Sequence, residues 1–411
     1  MNGCGCSGAG LRPVDEAIAA LMDFVPPPPP VVRVDLEQAL GRVLAEDIRS
    51  PLDLPLWDNS AMDGYALRAA DTGADGARLR VAGCIAAGQS SQVELQPGET
   101  MRIFTGAPLP PGADCVVAQE DCQADGQWLQ VPRVDKGNHV RPRGEEVCVG
   151  DPLLAPGRKL RAQELGLLAS VGFDSVAVFR RLRVCLLSSG DELREPGESL
   201  APGQIYNANR FSLGALLRSW GMEVHDYGVL ADTLAASRDA LSLAASEWDV
   251  LVTSGGVSVG DRDCLKQAIR ELGELHLWKL NMQPGKPLAF GSISGKPWIG
   301  LPGNPAAALV TALVVARPFL WRAQGRDAVE ALPATLPAGF DWPAPNSRRQ
   351  YLRSRVELDA RGFACITPHP QQGSAMLRTA SWADGLAIVE AGRTLRAGEP
   401  LPFLSFSELG A

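Results

Sequence analysis

"WDVLVTSGGVSVGDRD", Trp248–Asp263, decides the fold. A short unbroken apolar run, Val250 to Val252, passes into a polar loop with three glycines, and "LKQAIREL" at 265–272 resumes with helical spacing. An apolar run too short for a helix, bounded by glycine, marks a strand buried on both faces. The same unit stands twice upstream. "RVCLLSSGDEL" (183–193) precedes the helical "NRFSLGALLRSWG" (209–221), and "EVHDYGVL" (223–230) precedes "TLAASRDALSLAASE" (233–247). Downstream, "PLAFGSISGKPWIGLPGNPAAALVTALVV" (287–315) supplies two short strands and a final helix. Strand–loop–helix repeated in this way predicts a parallel sheet with helices on both faces over 181–326.

Outward from that unit the texture changes. From 327 to 411 helix and strand no longer alternate, and "RQYLRSRV", "ACITPH" and "LAIVEA" predict a small β-barrel or sandwich. Over 51–143, short apolar runs broken by Gly, Pro and Asp predict a compact β-rich insertion. Before it, "RPVDEAIAALMDF" reads as a short amphipathic helix, and Pro26–Pro30 as a stiff extended spacer. "DLEQALGRVLAEDI" reads as a second helix, with Asp35 as its cap and Gln38 at the reciprocal position. After the insertion, "LRAQELGLLASVGF" reads as a helix ending near Gly172. The fold class is therefore multidomain α/β, and 411 residues at roughly 100–200 per domain give two to four domains.

Composition narrows the function. With 45% hydrophobic and 21% charged residues the chain is globular rather than disordered. A net charge of −8 argues against non-specific binding to nucleic acid or an anionic membrane, while leaving room for a local basic pocket. The longest apolar run, Ala306–Ala316, is too short to cross a bilayer, and no signal-peptide core opens the sequence, so the cytoplasm is expected. Nine cysteines without a repeated framework point to reduced thiols, and Cys4 and Cys6 to a flexible Gly/Ser tail. The four histidines, His139, His225, His276 and His369, are too scattered for a histidine metal site, so a bound metal would be a hard cation on oxygen ligands.

Ligands of open α/β sheets collect at the carboxyl ends of the strands, and four loops fall there. "SSGDEL" carries Ser189, Gly190 and Glu192. "TSGGVSVGDRD" carries Ser254, Gly255, Gly256 and Gly260, which let backbone N–H groups approach an anion, followed by Asp261 and Asp263. "NMQPGKPLAF" sets Lys286 between Gly and Pro, with Lys279 upstream. "GLPGNPAAALV" brings Pro302 and Gly303, then Asn304 for the N-cap and Pro305 for the first helical position. Singly these loops read as turns, caps and solvated charges. Together they describe a pocket for a phosphate-bearing ligand with a divalent cation. It is not a Walker A loop, because "GSISGKP" lacks Ser or Thr after the lysine.

These loops follow "DNSAMDGYAL" (58–67) and share the chain with "RIFTGAPLPPGADCVV", "RPRGEEV", "GQIYNANRF", "LWKLNMQPGKPLAFG" and "HPQQGSAMLRTASWADGLAIV". In that order, over nearly the whole chain, the motifs closely resemble the molybdopterin molybdenumtransferase family, the MoeA-type proteins and the E domain of gephyrin. The resemblance implies a homodimer of four-domain protomers. The domains would be an elongated discontinuous one (1–50 and 144–180), an inserted one (51–143), a molybdopterin-binding one (181–326) and a C-terminal barrel (327–411). It implies that the "DNSAMDGYA" loop faces the pocket of the other protomer, with Asp63, Thr105 and Glu146 on that face. The catalytic set would be Asp63, Thr105, Glu192, Asp232 and Asp263, with Mg²⁺ on Asp63, Glu192 and Asp263. Lys279, Lys286, Pro302 and Pro305 stand at matching substrate-binding positions. The implied reaction joins molybdate to adenylylated molybdopterin and releases AMP, alongside other proteins of molybdenum cofactor biosynthesis. Gln283, where relatives often carry Lys or Arg, and Glu146, in place of a common Asp, depart from the pattern. Two rival readings are the preceding adenylyl transfer and a non-catalytic scaffold. The insertion and barrel count against the first, the retained acids against the second.

Overall fold

A computed structural model of the chain describes residues 10–90, 93–256 and 264–411. Its centre is a six-stranded sheet. In chain order the elements are β1 (Arg183–Ser189), α1 (Ala208–Ser219), β2 (Glu223–Leu230), α2 (Leu234–Glu247), β3 (Val250–Ser254), α3 (Cys264–Leu272), β4 (Gly273–Lys279), β5 (Pro287–Ile293), β6 (Lys296–Leu301) and α4 (Pro305–Ala323). The strand order is β2-β1-β3-β6-β5-β4. The first four strands are parallel, as the alternation predicts, and β5 and β4 extend them antiparallel. The sheet is therefore mixed. The two-residue turn from β5 to β6, Ser294 and Gly295, has φ of 48° and 77°, a hairpin turn too short to carry a parallel crossover.

Alternation along the strands splits the core in two. Val184, Leu186, Val252 and Ile299 face α1 and α4, while Cys185, Leu187, Leu251 and Trp298 face α2 and α3. The helix α4 is longer than its apolar run suggests, because it continues through "RPFLWRA" to Ala323. By length and hydropathy it could cross a membrane, yet 89% of it is buried in this core. A π-helical turn at Ala312–Ala316 precedes Pro318, whose missing N–H loosens the hydrogen-bond ladder there. The first helix, Val14–Met22, grouped by sequence with the elongated domain, instead lays Val14, Ala17 and Leu21 into the α1/α4 side of this core.

The elongated unit is built from distant segments. Val31–Asp35 pairs antiparallel with Ser175–Phe179, and Ile48–Arg49 with Pro152–Leu154, around Leu44, Leu160, Leu168 and Val178. The helix expected over 35–48 is only Leu36–Ala39, and Asp35 makes no side-chain cap. Gly41 turns left-handed at φ 74°, after which Val43 and Leu44 bridge to Lys159 and Val178. Strand pairing there outweighs the helical periodicity.

The later helix, Ala162–Ser170, carries an acid that matters for stability. Glu164 is 4% exposed, clamped by Arg158 and Arg161 at 2.7 Å each, and accepts the Arg161 N–H at 2.9 Å. The Arg161 hydrogen bonds, then those of Arg158, hold its carboxyl down at about 2, against an ordinary 4.5. A pKa lowered by folding stabilises above the unfolded value, and the contribution is lost as pH falls through the folded one. Glu164→Gln is therefore expected to lower stability at pH 7 and to flatten the loss between pH 4.5 and about 2. Urea unfolding across that range reads it; equal pH slopes in both proteins would refute it.

Between those paired segments projects a β-rich unit. Its six-stranded sheet places Gly64–Leu67 between Cys115–Ala118 and Glu99–Ile103. Beyond Glu99–Ile103 come Ala77–Ile85, Trp128–Val131 and Gln123–Asp125. The C-terminal unit is a barrel. Ala334–Pro337, Pro400–Ser405, Gly385–Val389, Arg349–Leu358 and Ala364–Pro368 pair in succession. The bridge Ala338–Ile366, with the Gly339 N–H on the Ile366 carbonyl at 2.8 Å, closes the ring. The described cysteines form no disulfide.

Candidate functional site

A cleft of about 1070 Å³ opens at the carboxyl ends of β1, β3 and β6. Its floor is backbone. Gly255 has φ 90°, and its N–H bonds the Leu301 carbonyl at 3.1 Å, tying β3 to β6. A Cβ there would lie 2.4 Å from the Ser189 carbonyl, so only glycine lets the ends of β1 and β3 meet. Asn209, on α1, pins the same corner from below. Its Nδ2 donates to Ser254 Oγ at 2.6 Å and to the Gly303 carbonyl at 2.7 Å. Asn207 caps α1, its Oδ1 accepting the Arg210 N–H at 3.3 Å. Asn207 Nδ2 and Asn209 Oδ1 are buried without a partner among the described residues, a donor and an acceptor available beside the cleft.

Charge enters from three sides. Glu192 and Asp232 line the cleft, and neither has a cationic partner among the described residues. Lys286 stands opposite, in the turn between Gly285 and Pro287. Arg348 arrives from the barrel, where its Nη2 donates to Gln283 Oε1 at 2.9 Å and its Nη1 to the Met282 carbonyl at 3.3 Å. The roof is the barrel loop Gln372–Ala375. Asn304 Nδ2 donates to Ser374 Oγ at 3.2 Å, and the Ala307 N–H to the Ser374 carbonyl at 3.0 Å. Arg353, fully buried, holds that loop through the Gly373 carbonyl and Thr379 Oγ1, both at 3.0 Å. Asn304 occupies the N-cap position of α4 without capping it, because its side chain is spent on Ser374, while Pro305 takes the first helical position as expected.

Of the residues singled out by sequence, Ser189, Gly190, Glu192, Asp232, Ser254, Gly255, Gly256, Lys286, Pro302, Gly303, Asn304 and Pro305 line this one cleft. Lys279 does not. It lies exposed on edge strand β4, its carbonyl bonded to the Arg12 N–H at 2.8 Å. Gly260, Asp261 and Asp263 lie outside the described residues. Asp63 and Thr105 meet on the inserted unit, where Asp63 Oδ1 accepts both the Thr105 N–H and its hydroxyl at 2.8 Å. Those two bonds, the backbone one first, hold the Asp63 carboxyl below its ordinary range. Neither residue, nor the exposed Glu146, lines the chain's own cleft. Among the described residues no three His, Cys, Asp or Glu side chains converge on a metal position. Sequence reasoning gave no role to Asn207, Asn209, Arg348 and Gln372–Ala375. "GQIYNANRF" and "HPQQGSAMLR" were visible as motifs, but nothing local marks which of their side chains turn inward.

Family models match the chain in three blocks. The MoeA N-terminal region (domain I and II) covers residues 12–172, a probable molybdopterin binding domain 185–322, and the MoeA C-terminal region (domain IV) 335–406. The chain belongs to the MoeA, or molybdopterin molybdenumtransferase, family. A molybdopterin molybdenumtransferase of Haemophilus influenzae is 40% identical over 402 residues, 96% of this chain and 99% of that one. Molybdopterin molybdenumtransferase 2 of Mycobacterium tuberculosis is 36% identical over 374 residues, 86% of this chain and 90% of that one. The crystal structure of a MoeA protein from Pyrococcus horikoshii matches with a TM-score of 0.78 at 33% identity, covering 97% and 99% of the two chains. The multidomain α/β fold read from sequence is that of this family, with a mixed rather than a purely parallel central sheet.

Proposed function

We propose that this chain is a molybdenum-inserting transferase of molybdenum cofactor biosynthesis. Its cleft takes adenylylated molybdopterin and molybdate and releases AMP with the metallated pterin. The observation that carries the reading is the pairing of two charge types on one floor. Lys286, Arg348 and the N-terminus of α4 suit anionic oxygens, while Glu192 and Asp232 face them with no cation of their own. Two unpaired carboxylates beside a phosphate-suited floor are the donor set that Mg²⁺ takes, its remaining positions going to phosphate oxygens and water. Glu192 and Asp232 would hold it from this chain, with Asp63 of a second protomer. Bound there, the ion would neutralise the phosphates at the scissile anhydride. The protein's own part is positional. Lys286 and Arg348 hold the oxyanions, Gly255 and Gly256 let the ligand approach the backbone, and the barrel loop closes the site over it.

We further propose that the active unit is a homodimer with shared sites. The Asp63 loop is ringed by exposed Leu56, Trp57, Met62 and Phe104, a large apolar set for a free surface. The lining of the α/β cleft exposes Ile205 and Tyr206 in turn, with exposed Leu200 and Phe211 close to them in the chain. A second copy that covers both would bring Asp63 and Thr105 to a cleft that their own chain leaves without them. A cytoplasmic setting, among the proteins that supply the pterin and receive the cofactor, fits described cysteines that form no disulfide.

The test is AMP release from adenylylated molybdopterin by the purified protein with Mg²⁺, titrated with molybdate and separately with tungstate. Release stimulated by molybdate is expected. No release under either anion, with pterin still bound, would favour a scaffold. Lys286→Met and Arg348→Met are each expected to raise the KM for molybdate about tenfold with a smaller change in kcat, as lost point charges should. Unchanged KM in both would place the anion elsewhere.

A further inference from the structure

A second cavity, about 550 Å³, lies at the seam between the elongated unit and the end of α4, lined by Leu153–Lys159, Gln163, Glu164, Leu167 and 326–328. Its walls hold more positive charge than they balance. Glu164 is already clamped by Arg158 and Arg161, and Asp327 is paired with Arg322 at 3.4 Å. That leaves Lys159 and Arg326, neither with a carboxylate partner among the described residues. Arg326 Nη1 is buried and bonded to nothing described. The guanidinium lies over Trp321, 3.5 Å from the ring centroid, and Arg317, 3% exposed and with no acid in ion-pair contact among the described residues, lies 4.3 Å from the same ring. Burial lowers Lys159, with the Arg326 charge adding, and pushes Arg317 and Arg326 down to about 10, outweighing the Glu408 carboxylate that draws both the other way. Lys159 and Arg326, half-buried beside each other with no acid in ion-pair contact among the described residues, are costly to hold together unless an anion joins them, and this cavity is where one can enter.

We propose that this seam is a second anion site, separate from the cleft, for a free tetrahedral oxyanion of the phosphate and molybdate class. Lys159 Nζ and Arg326 Nη1 are the charged donors. The apolar wall of Leu153, Leu154 and Leu167 shields the pair from water and so strengthens the attraction. Gly157 shapes the mouth: a Cβ there would lie 2.4 Å from the Asp327 carboxylate carbon. Because the site joins two structural units through a bound ion, occupancy is expected to raise thermal stability rather than turnover.

The experiment is equilibrium dialysis of the full-length protein against labelled inorganic phosphate, with thermal unfolding in parallel. Wild type is expected to show an equivalent per chain that survives Lys286→Met in the cleft. Lys159→Gln is expected to weaken that equivalent about tenfold or more and to leave AMP release unchanged. Ala155→Asp, on the exposed lip, supplies a counter-charge at the cavity itself. It is expected to abolish the phosphate-dependent rise in Tm while raising the phosphate-free Tm. The proposal is overturned if all phosphate binding disappears with Lys286→Met, or if Ala155→Asp leaves the phosphate dependence intact. It is equally overturned if no phosphate reaches the seam because an acid of a second copy already fills it.

Discussion

Asp63→Ala is expected to reduce molybdenum insertion by about 10²–10⁴-fold while pterin binding changes little. The side chain is exposed, so its loss opens no cavity and stability should hold. What disappears is a carboxylate kept ionised and fixed in direction by the Thr105 N–H and hydroxyl. Thr105→Val removes one of those two bonds and should give a smaller loss of the same kind. The sharper form of the experiment uses mixed dimers. If Asp63 serves the partner's cleft, Asp63→Ala and Lys286→Met chains combined in equal amounts place both defects in one site of each hybrid and leave the other site whole. With molybdate well below its KM, random mixing then restores about a quarter of wild-type AMP release, where one parent is nearly inactive and the other is reduced about tenfold. A mixture no more active than its parents would return Asp63 to its own chain and remove the shared site.

The second large effect is expected at Gly255→Ala. Its φ of 90° is unfavourable for alanine, and the new methyl would meet the Ser189 carbonyl, backbone that cannot rotate away. The ends of β1 and β3 must part, which costs about 2 kcal/mol and moves Gly255, Ser254 and the "SSGDEL" loop out of register. A displacement on the order of 1 Å in a positioning element costs about 10²-fold in rate. The folded variant should therefore lose pterin affinity and turnover together. Gly256→Ala is the internal control. Its φ is 65°, but its methyl would meet chiefly the far end of the Leu265 side chain, at 2.5 Å, which can turn aside. Equal losses at both positions, by calorimetric pterin binding, would mean that backbone strain rather than the Ser189 contact governs the floor.

Much of this architecture was legible where one rule operates alone. The apolar runs of β1 and β3 are short, glycine-bounded and buried on both faces, so their strand identity needed no tertiary knowledge. The four cleft loops were legible because glycine, Asn-Pro and Gly-Lys-Pro have strong local preferences. The 35–48 segment misled because its helical periodicity competes with partners more than a hundred residues away, and Leu44 is worth more against Val178 than on a helix face. Lys279 looked like a cleft lysine from its closeness in sequence to Lys286. Strand pairing instead holds it on the edge of the sheet, opposite Pro287. Arg348 was invisible for the converse reason, since its place beside Gln283 depends on how a separate barrel docks.

That docking is more intimate than two packed surfaces. Met282–Gln283, which leads into the Lys286 turn, is hydrogen bonded as a parallel strand to Arg349–Gln350, so a piece of the α/β domain is the first strand of the barrel's own sheet. The barrel is thus not an exchangeable module. A foreign barrel grafted after residue 326 would have to offer a matching free edge and an arginine at the same place along it, or the lysine turn would lose its anchor. Recombination among relatives should therefore be productive at the two junctions of the inserted unit and sterile at the head of the barrel.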